Sequence, residues 1–263
     1  MTRPLGLTWL VIVVLVLGLN ACMTPKPAAT PPPSSEIWPT TIVSQPTMSV
    51  ETVQPSPTIT PSVTPVEMPT SSQTPAPGYP ESHYIAISGH KQAYPLSCEA
   101  SAAVDWAAYF GVDIYEYDFQ MALPLSDNPD YGFCGDVFTD LWGQIPPYAY
   151  GVYAGPVADL LVKFGLPAKS INGWTLEQVK QKLAEDKPIL VWVIGNMEYS
   201  DPVIYVDKAG REVLAAPFEH AMILTGYDAT IVRYMNNGRF FDVPAEVFLT
   251  SWGVLSNMGI VHE

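Results

Sequence analysis

The chain changes character near residue 80, and that break decides where a fold can form. Residues 23–80 are more than half Pro, Ser and Thr, with few charges and no apolar periodicity. Such a segment cannot bury enough surface to offset the entropy of ordering it. It is expected to be an extended, partly polyproline spacer, reaching up to about 180 Å at ~3.1 Å per residue. The folding unit is therefore 81–263, one domain's worth of chain.

Upstream of the spacer, residues 1–22 carry Arg3, an apolar run from Leu5 to Leu19, and Leu19-Asn20-Ala21-Cys22. The run is short for a membrane span and suits a signal segment. The last four residues resemble the lipobox of bacterial lipoproteins. That resemblance implies a diacylglycerol thioether on Cys22, an exported chain, and a lipid anchor to the outer face of a membrane. An ordinary secretory signal or an uncleaved anchor would export the chain too.

The formal net charge is −14, nearly all of it in 81–263. This argues against nucleic acid or anionic lipid as the domain's partner. No paired His or Cys spacing supports a zinc motif, and no cofactor is expected. With Cys22 lipidated, Cys98 and Cys134 remain. Two cysteines in an exported domain are ordinarily read as one disulfide.

Periodicity places the elements. Residues 98–110 predict a helix with Ala102, Ala103, Trp106, Ala107 and Phe110 on its apolar face, ended by Gly111. A short helix is expected at 114–122, then a long Asp/Gly/Pro-rich loop at 125–150 holding Cys134. Loops of that length are usually functional or covering elements. Pro156 is expected to open a third helix, with Val157, Leu160, Leu161 and Phe164 inward and Gly165 as its stop. Thr175 and Gln178 form a capping box for a fourth helix that must stop before Pro188. Strands are expected at 189–194, 203–206, 220–226, 231–235 and 258–262, and one more short helix at 244–252. Helices first and strands after them give an α+β class with a mostly antiparallel sheet.

Cys98 stands at the first position of the predicted first helix, within QAYPLSCEAS. The positive end of the helix dipole would lower its pKa and favour thiolate. Small residues follow it, and Gln92, six residues upstream, could join the Cys98 backbone N–H as oxyanion donors. A base is needed. His220, acid-flanked in FEHAMILTGYD, stands at the start of a strand, whereas His83, His90 and His262 lie at less suitable positions. The next strand ends at Asn236-Asn237-Gly238. Asn236 could orient the imidazole, Asn237-Gly238 is a hairpin turn signal, and Asp242 is a weaker candidate for the orienting role.

Gln92, Cys98, His220 and Asn236, in that order, resemble the papain-like cysteine peptidases. QAYPLSCEASAAVDWAAYFG, YGVYAGPVADLLVKFG, WTLEQVKQKLAEDKPILVWV and HAMILTGYDATIVRYMNNG look most like the bacteriocin-processing, double-glycine type family and its stand-alone C39-like relatives in exported proteins. The resemblance implies a papain-like fold, Cys98 as nucleophile, His220 as base, Asn236 as orienter and Gln92 as oxyanion donor, acting on a peptide or protein. The chain departs from it in three places. Asn236-Asn237 stands where relatives often carry Asp-Pro. Cys134 stands where an apolar residue is expected. The papain-like Thr250-Ser-Trp-Gly253 falls in a predicted helix, so Trp252 reads as core. Two other classes fit the residues less well: a binding or adhesion module with Cys98 bridged to Cys134, and a cell-wall amidase, whose histidine would lie nearer the cysteine.

Overall fold

The computed structural model describes residues 78–263. The signal segment with Cys22 and the spacer up to residue 77 lie outside the described residues. In chain order the elements are β1 (His83–Tyr84), α1 (Cys98–Tyr109), α2 (Glu116–Ala122), α3 (Ala154–Lys163), β2 (Ala168–Ile171), α4 (Leu176–Leu183), β3 (Ile189–Ile194), β4 (Val203–Val206), β5 (Glu212–Ala215), β6 (Glu219–Tyr227), β7 (Ile231–Asn236), β8 (Arg239–Pro244), α5 (Ala245–Gly253) and β9 (Gly259–His262).

One antiparallel sheet runs β2-β9-β3-β6-β7-β8, with β1 added alongside β6. A separate ribbon joins β4 to β5. The centre of the sheet explains why 189–194 is an unbroken apolar run. Leu190, Trp192 and Ile194 of β3 face a core that includes Ala100, Ala103, Trp106, Ala107, Val157 and Leu161 of α1 and α3. Ile189, Val191 and Val193 face the opposite core with Val179, Leu183, Phe248 and Trp252 of α4 and α5. A strand covered on both faces has no polar positions to alternate with. The result is three layers: α1 and α3, the sheet, then α4 and α5.

Local signals set the helix ends. The Thr175 hydroxyl accepts from the Gln178 N–H and the Gln178 side chain accepts from the Thr175 N–H, so the capping box forms as expected. α1 stops at Phe110, followed by Gly111 at φ +83°, a conformation glycine adopts freely. Trp252 is fully buried and donates to the Met258 carbonyl, a core role.

Several expectations needed correction. α3 begins at Ala154, so Pro156 is its third residue; the missing N–H still falls in the first turn, where it has no helical partner. Phe164 caps that helix and is 38% exposed, stacked on Phe119 rather than inside the core. β1, β2, β5 and β8 were not expected as strands. Each is short or exposes most of its side chains, so no buried pattern marks it.

Candidate active site

The loop preceding α1 is held by one buried carboxylate. Glu116 of α2 accepts from the Ala93 N–H at 3.0 and 3.1 Å and from the Ser97 hydroxyl. It also binds His90 Nε2 at 2.8 Å, while Asp105 of α1 binds His90 Nδ1 at 2.6 Å. Burial pulls the His90 pKa down, but these two carboxylates outweigh it and the pKa is raised. Gln92 therefore sits in a stapled loop. Its Nε2 donates to the Tyr94 carbonyl at 2.9 Å and the Pro95 carbonyl at 3.0 Å.

β6 and β7 are adjacent antiparallel strands, and their pairing brings His220 and Asn236 together. His220 Nε2 lies 3.0 Å from Asn236 Oδ1. Burial lowers the His220 pKa, and the Asn236 bond opposes that only in part. A neutral imidazole with its hydrogen on Nε2, facing Asn236 Oδ1, has an unprotonated Nδ1 free to accept a proton. Asn236 Nδ2 donates to Asn196 Oδ1 at 3.1 Å, which keeps its oxygen turned to the ring. Asn237 sits in the hairpin turn at φ +52°, followed by Gly238 at +69°, as the turn signal predicts. Its Oδ1 also accepts from the Gln92 backbone N–H at 2.9 Å, and its Nδ2 donates to Asn236 Oδ1 at 3.0 Å. Asp242 is elsewhere, in β8, gripping Arg233 at 2.7 and 2.9 Å.

Gln92, Cys98, His220 and Asn236 line one cleft of about 300 Å³, which Trp142 and Glu219 also line. The long loop thus contributes a wall. Trp142 and Phe218 meet edge to face at 5.6 Å, and both are exposed. Cys134 is buried in the α1 core, with its thiol toward the Gly132 carbonyl at 3.7 Å. Cys98 and Cys134 are both free thiols.

Cys98 begins α1 as expected, but its electrostatic setting is not the expected one. Its thiol pKa is pushed well above the ordinary range, first by burial, then by the charges of Glu99 and Glu219. Whatever the helix dipole offers is overridden by burial and by two acids at close range. Sequence reasoning missed both. Each adjoins a candidate catalytic residue, in Cys98-Glu99 and Glu219-His220, and that adjacency was the available signal. Glu99 Oε1 accepts from the Val152 N–H at 2.7 Å and Oε2 accepts from the Cys98 thiol at 3.2 Å. Gly151, at φ +123°, lets the chain pass this carboxylate; a Cβ there would strike Glu99 Oε1. Both oxygens of Glu219 are buried without a hydrogen-bond partner. Burial raises the Glu99 pKa to about 7, and burial with the nearby Glu99 charge raises that of Glu219 well above the carboxylate range.

The site brings a thiol, an imidazole and an amide together on a helix and two strands of an α+β frame. The fold agrees with that of a C39-like peptidase from Bacillus anthracis, at 20% identity and a TM-score of 0.62, over 70% of this chain and 98% of that one. Two further structures match at 14% identity and lower TM-scores. They are the peptidase domain of Streptococcus ComA, a bifunctional ABC transporter involved in quorum sensing (0.41; 67% of this chain, 98% of that chain), and xylellain, a cysteine protease from Xylella fastidiosa (0.38; 71% and 87%). No curated protein sequence matches the chain. Residues 91–258, well over half of the chain, match the profile of the Peptidase_C39 like family, and the chain belongs to that family, a papain-like cysteine peptidase by fold and a hydrolase by class.

Proposed function

We propose that this chain hydrolyses peptide bonds through Cys98, His220 and Asn236, with Gln92 as oxyanion donor, from an exported position tethered to the membrane through lipidated Cys22. The observation that supports this best is the shared cleft. Cys98 at the head of α1 and the His220–Asn236 pair open onto the same space.

The Cys98 proton passes to His220 Nδ1 as the sulfur attacks the substrate carbonyl. The Cys98 backbone N–H and a Gln92 amide hydrogen receive the oxyanion. Both Gln92 amide hydrogens are committed to Tyr94 and Pro95 carbonyls at rest, so one bond is exchanged when substrate binds. The imidazolium then protonates the departing amine, and water activated by the neutral ring hydrolyses the thioester. Starting from a protonated thiol and a neutral imidazole, the charge separation develops only with substrate in the cleft.

The test is turnover of a fluorogenic peptide library by the purified protein and by Cys98→Ala and His220→Ala. Turnover by the wild type that falls at least ~10³-fold in both variants supports the reading. Wild-type turnover that survives Cys98→Ala sinks it.

A further inference from the structure

Two carboxylates meet at the thiol of the proposed nucleophile, with no cation among the described residues to balance them. One ligand atom each from Cys98, Glu99 and Glu219 lies within 4.8 Å of the others. The other titratable groups that face this set are acids or a neutral ring. Cys134 and Tyr150 sense the Glu219 charge, and so does Tyr153, and each can only become negative. His220, next to Glu219, is held neutral by burial. Glu219 is the orphan of the group: both of its carboxylate oxygens are buried and neither has a hydrogen-bond partner. A buried carboxylate normally finds donors or a metal.

We propose that Cys98, Glu99 and Glu219 form a binding site for a divalent transition-metal cation, Zn²⁺ by the chemistry of the set. One thiolate and two carboxylates are three protein ligands of the kind zinc takes, leaving a fourth position. The thiolate disfavours Mg²⁺ and Ca²⁺, which prefer oxygen alone. Glu99 is already oriented, because the Val152 N–H on Oε1 leaves Oε2 turned to the Cys98 sulfur. Cys98 and Glu219 both line the cleft, so the fourth position opens toward substrate space. On binding, the Cys98 S–H bond breaks, its proton and those held on the Glu99 and Glu219 carboxyls leave to solvent, and one Zn–S and two Zn–O bonds form, with no change in oxidation state. Given the reading of Cys98 as nucleophile, the cation caps it, and zinc in the surroundings becomes a reversible inhibitor.

The experiment uses the whole protein, freed of metal with EDTA. Zn²⁺ is titrated by calorimetry, and Cys98 labelling by iodoacetamide is followed by mass spectrometry. Expected are one Zn²⁺ per chain, labelling of Cys98 slowed at least ~tenfold by equimolar Zn²⁺, recovery with EDTA, and no protection by Mg²⁺. Glu219→Gln should weaken Zn²⁺ at least ~tenfold, in the range that loss of a supporting metal contact produces, whereas His220→Ala should keep it. Co²⁺ in the wild type should show a thiolate-to-metal absorption band, which needs no variant to fold. The idea is overturned if the wild type takes no Zn²⁺. It is also overturned if His220→Ala loses Zn²⁺ while Glu219→Gln keeps it, which would put the ion on a Cys–His pair. None of these readouts needs a peptide substrate, so loss of the peptidase reading and loss of this one are told apart.

Discussion

The Cys98 thiol donates its hydrogen bond to Glu99, the next residue in the chain, at 3.2 Å. The nucleophile of the proposed triad therefore rests against an acid rather than against a group that would draw its proton away as a cation. The Ala221 N–H favours the thiolate, but burial and the acids prevail.

This has a direct consequence for reactivity. A raised thiol pKa means that Cys98 stays protonated at pH values where an ordinary cysteine has begun to ionise. In metal-free protein, iodoacetamide should label Cys98 more slowly than it labels glutathione at pH 7, with the rate climbing only at more alkaline pH. Glu99→Gln and Glu219→Gln each remove an acid whose charged form opposes the thiolate, so both should speed labelling as pH rises above 7, by about tenfold for each unit the thiol pKa falls. Unchanged labelling in both variants would contradict this account.

The same pair links stability to pH. An acid with a raised folded pKa binds its proton more tightly in the native state than in the unfolded one. Stability is then full below the ordinary glutamate pKa and falls as pH rises toward the folded value. For Glu99 that window runs from the usual glutamate range up to about 7. The denaturant midpoint should fall between pH 4.5 and about 7, and the slope should flatten in Glu219→Gln and in Glu99→Gln.

His90 should titrate in the same direction for a different reason. Its raised pKa reflects a protonated ring between Asp105 and Glu116. A raised histidine stabilises fully below its unfolded pKa, and that stabilisation is lost as pH rises through the folded pKa. Backbone amides of residues 90–97 should exchange faster above this transition than below it. His90→Gln should remove the pH dependence there while leaving that of the Glu99–Glu219 pair intact.

Asn236 holds one tautomer of His220 through a single 3.0 Å contact. Asn236→Ala should reduce kcat by about 10²-fold, the order expected from a mispositioned base, with little change in KM. Asn236→Asp should restore most of the rate and shift the acid limb of the pH profile upward, because a carboxylate beside the ring raises its pKa. A purely structural role for Asn236 would leave that limb where it was.

Much of this was readable before any coordinates. The unbroken 189–194 run, the Thr175–Gln178 box and the Asn237-Gly238 turn each rest on local rules, and the residues stand where those rules place them, while Gln92, Cys98, His220 and Asn236, far apart in the chain, line one cleft. What was hidden depends on contacts distant in sequence. β2 and β8 are recognisable only by their partners β9 and β7. The helix-dipole argument for a low Cys98 pKa was sound locally and failed first because the fold buries the thiol, then because Glu99 and Glu219 face it. His90 looked idle in sequence because Asp105 and Glu116 reach it only after α1 and α2 pack.

One turn residue carries more than its turn. Asn237 takes the Gln92 backbone N–H on one atom and gives a hydrogen to Asn236 on another, so it touches both banks of the cleft. Gln92 leads into the helical half, and Asn236 closes a strand of the sheet half. Were the halves to hinge apart for a bulky substrate, this amide would carry the loop of the oxyanion donor along with the orienter of the base. That tie limits how far the Gln92 loop and the Asn236 turn can separate as the cleft opens.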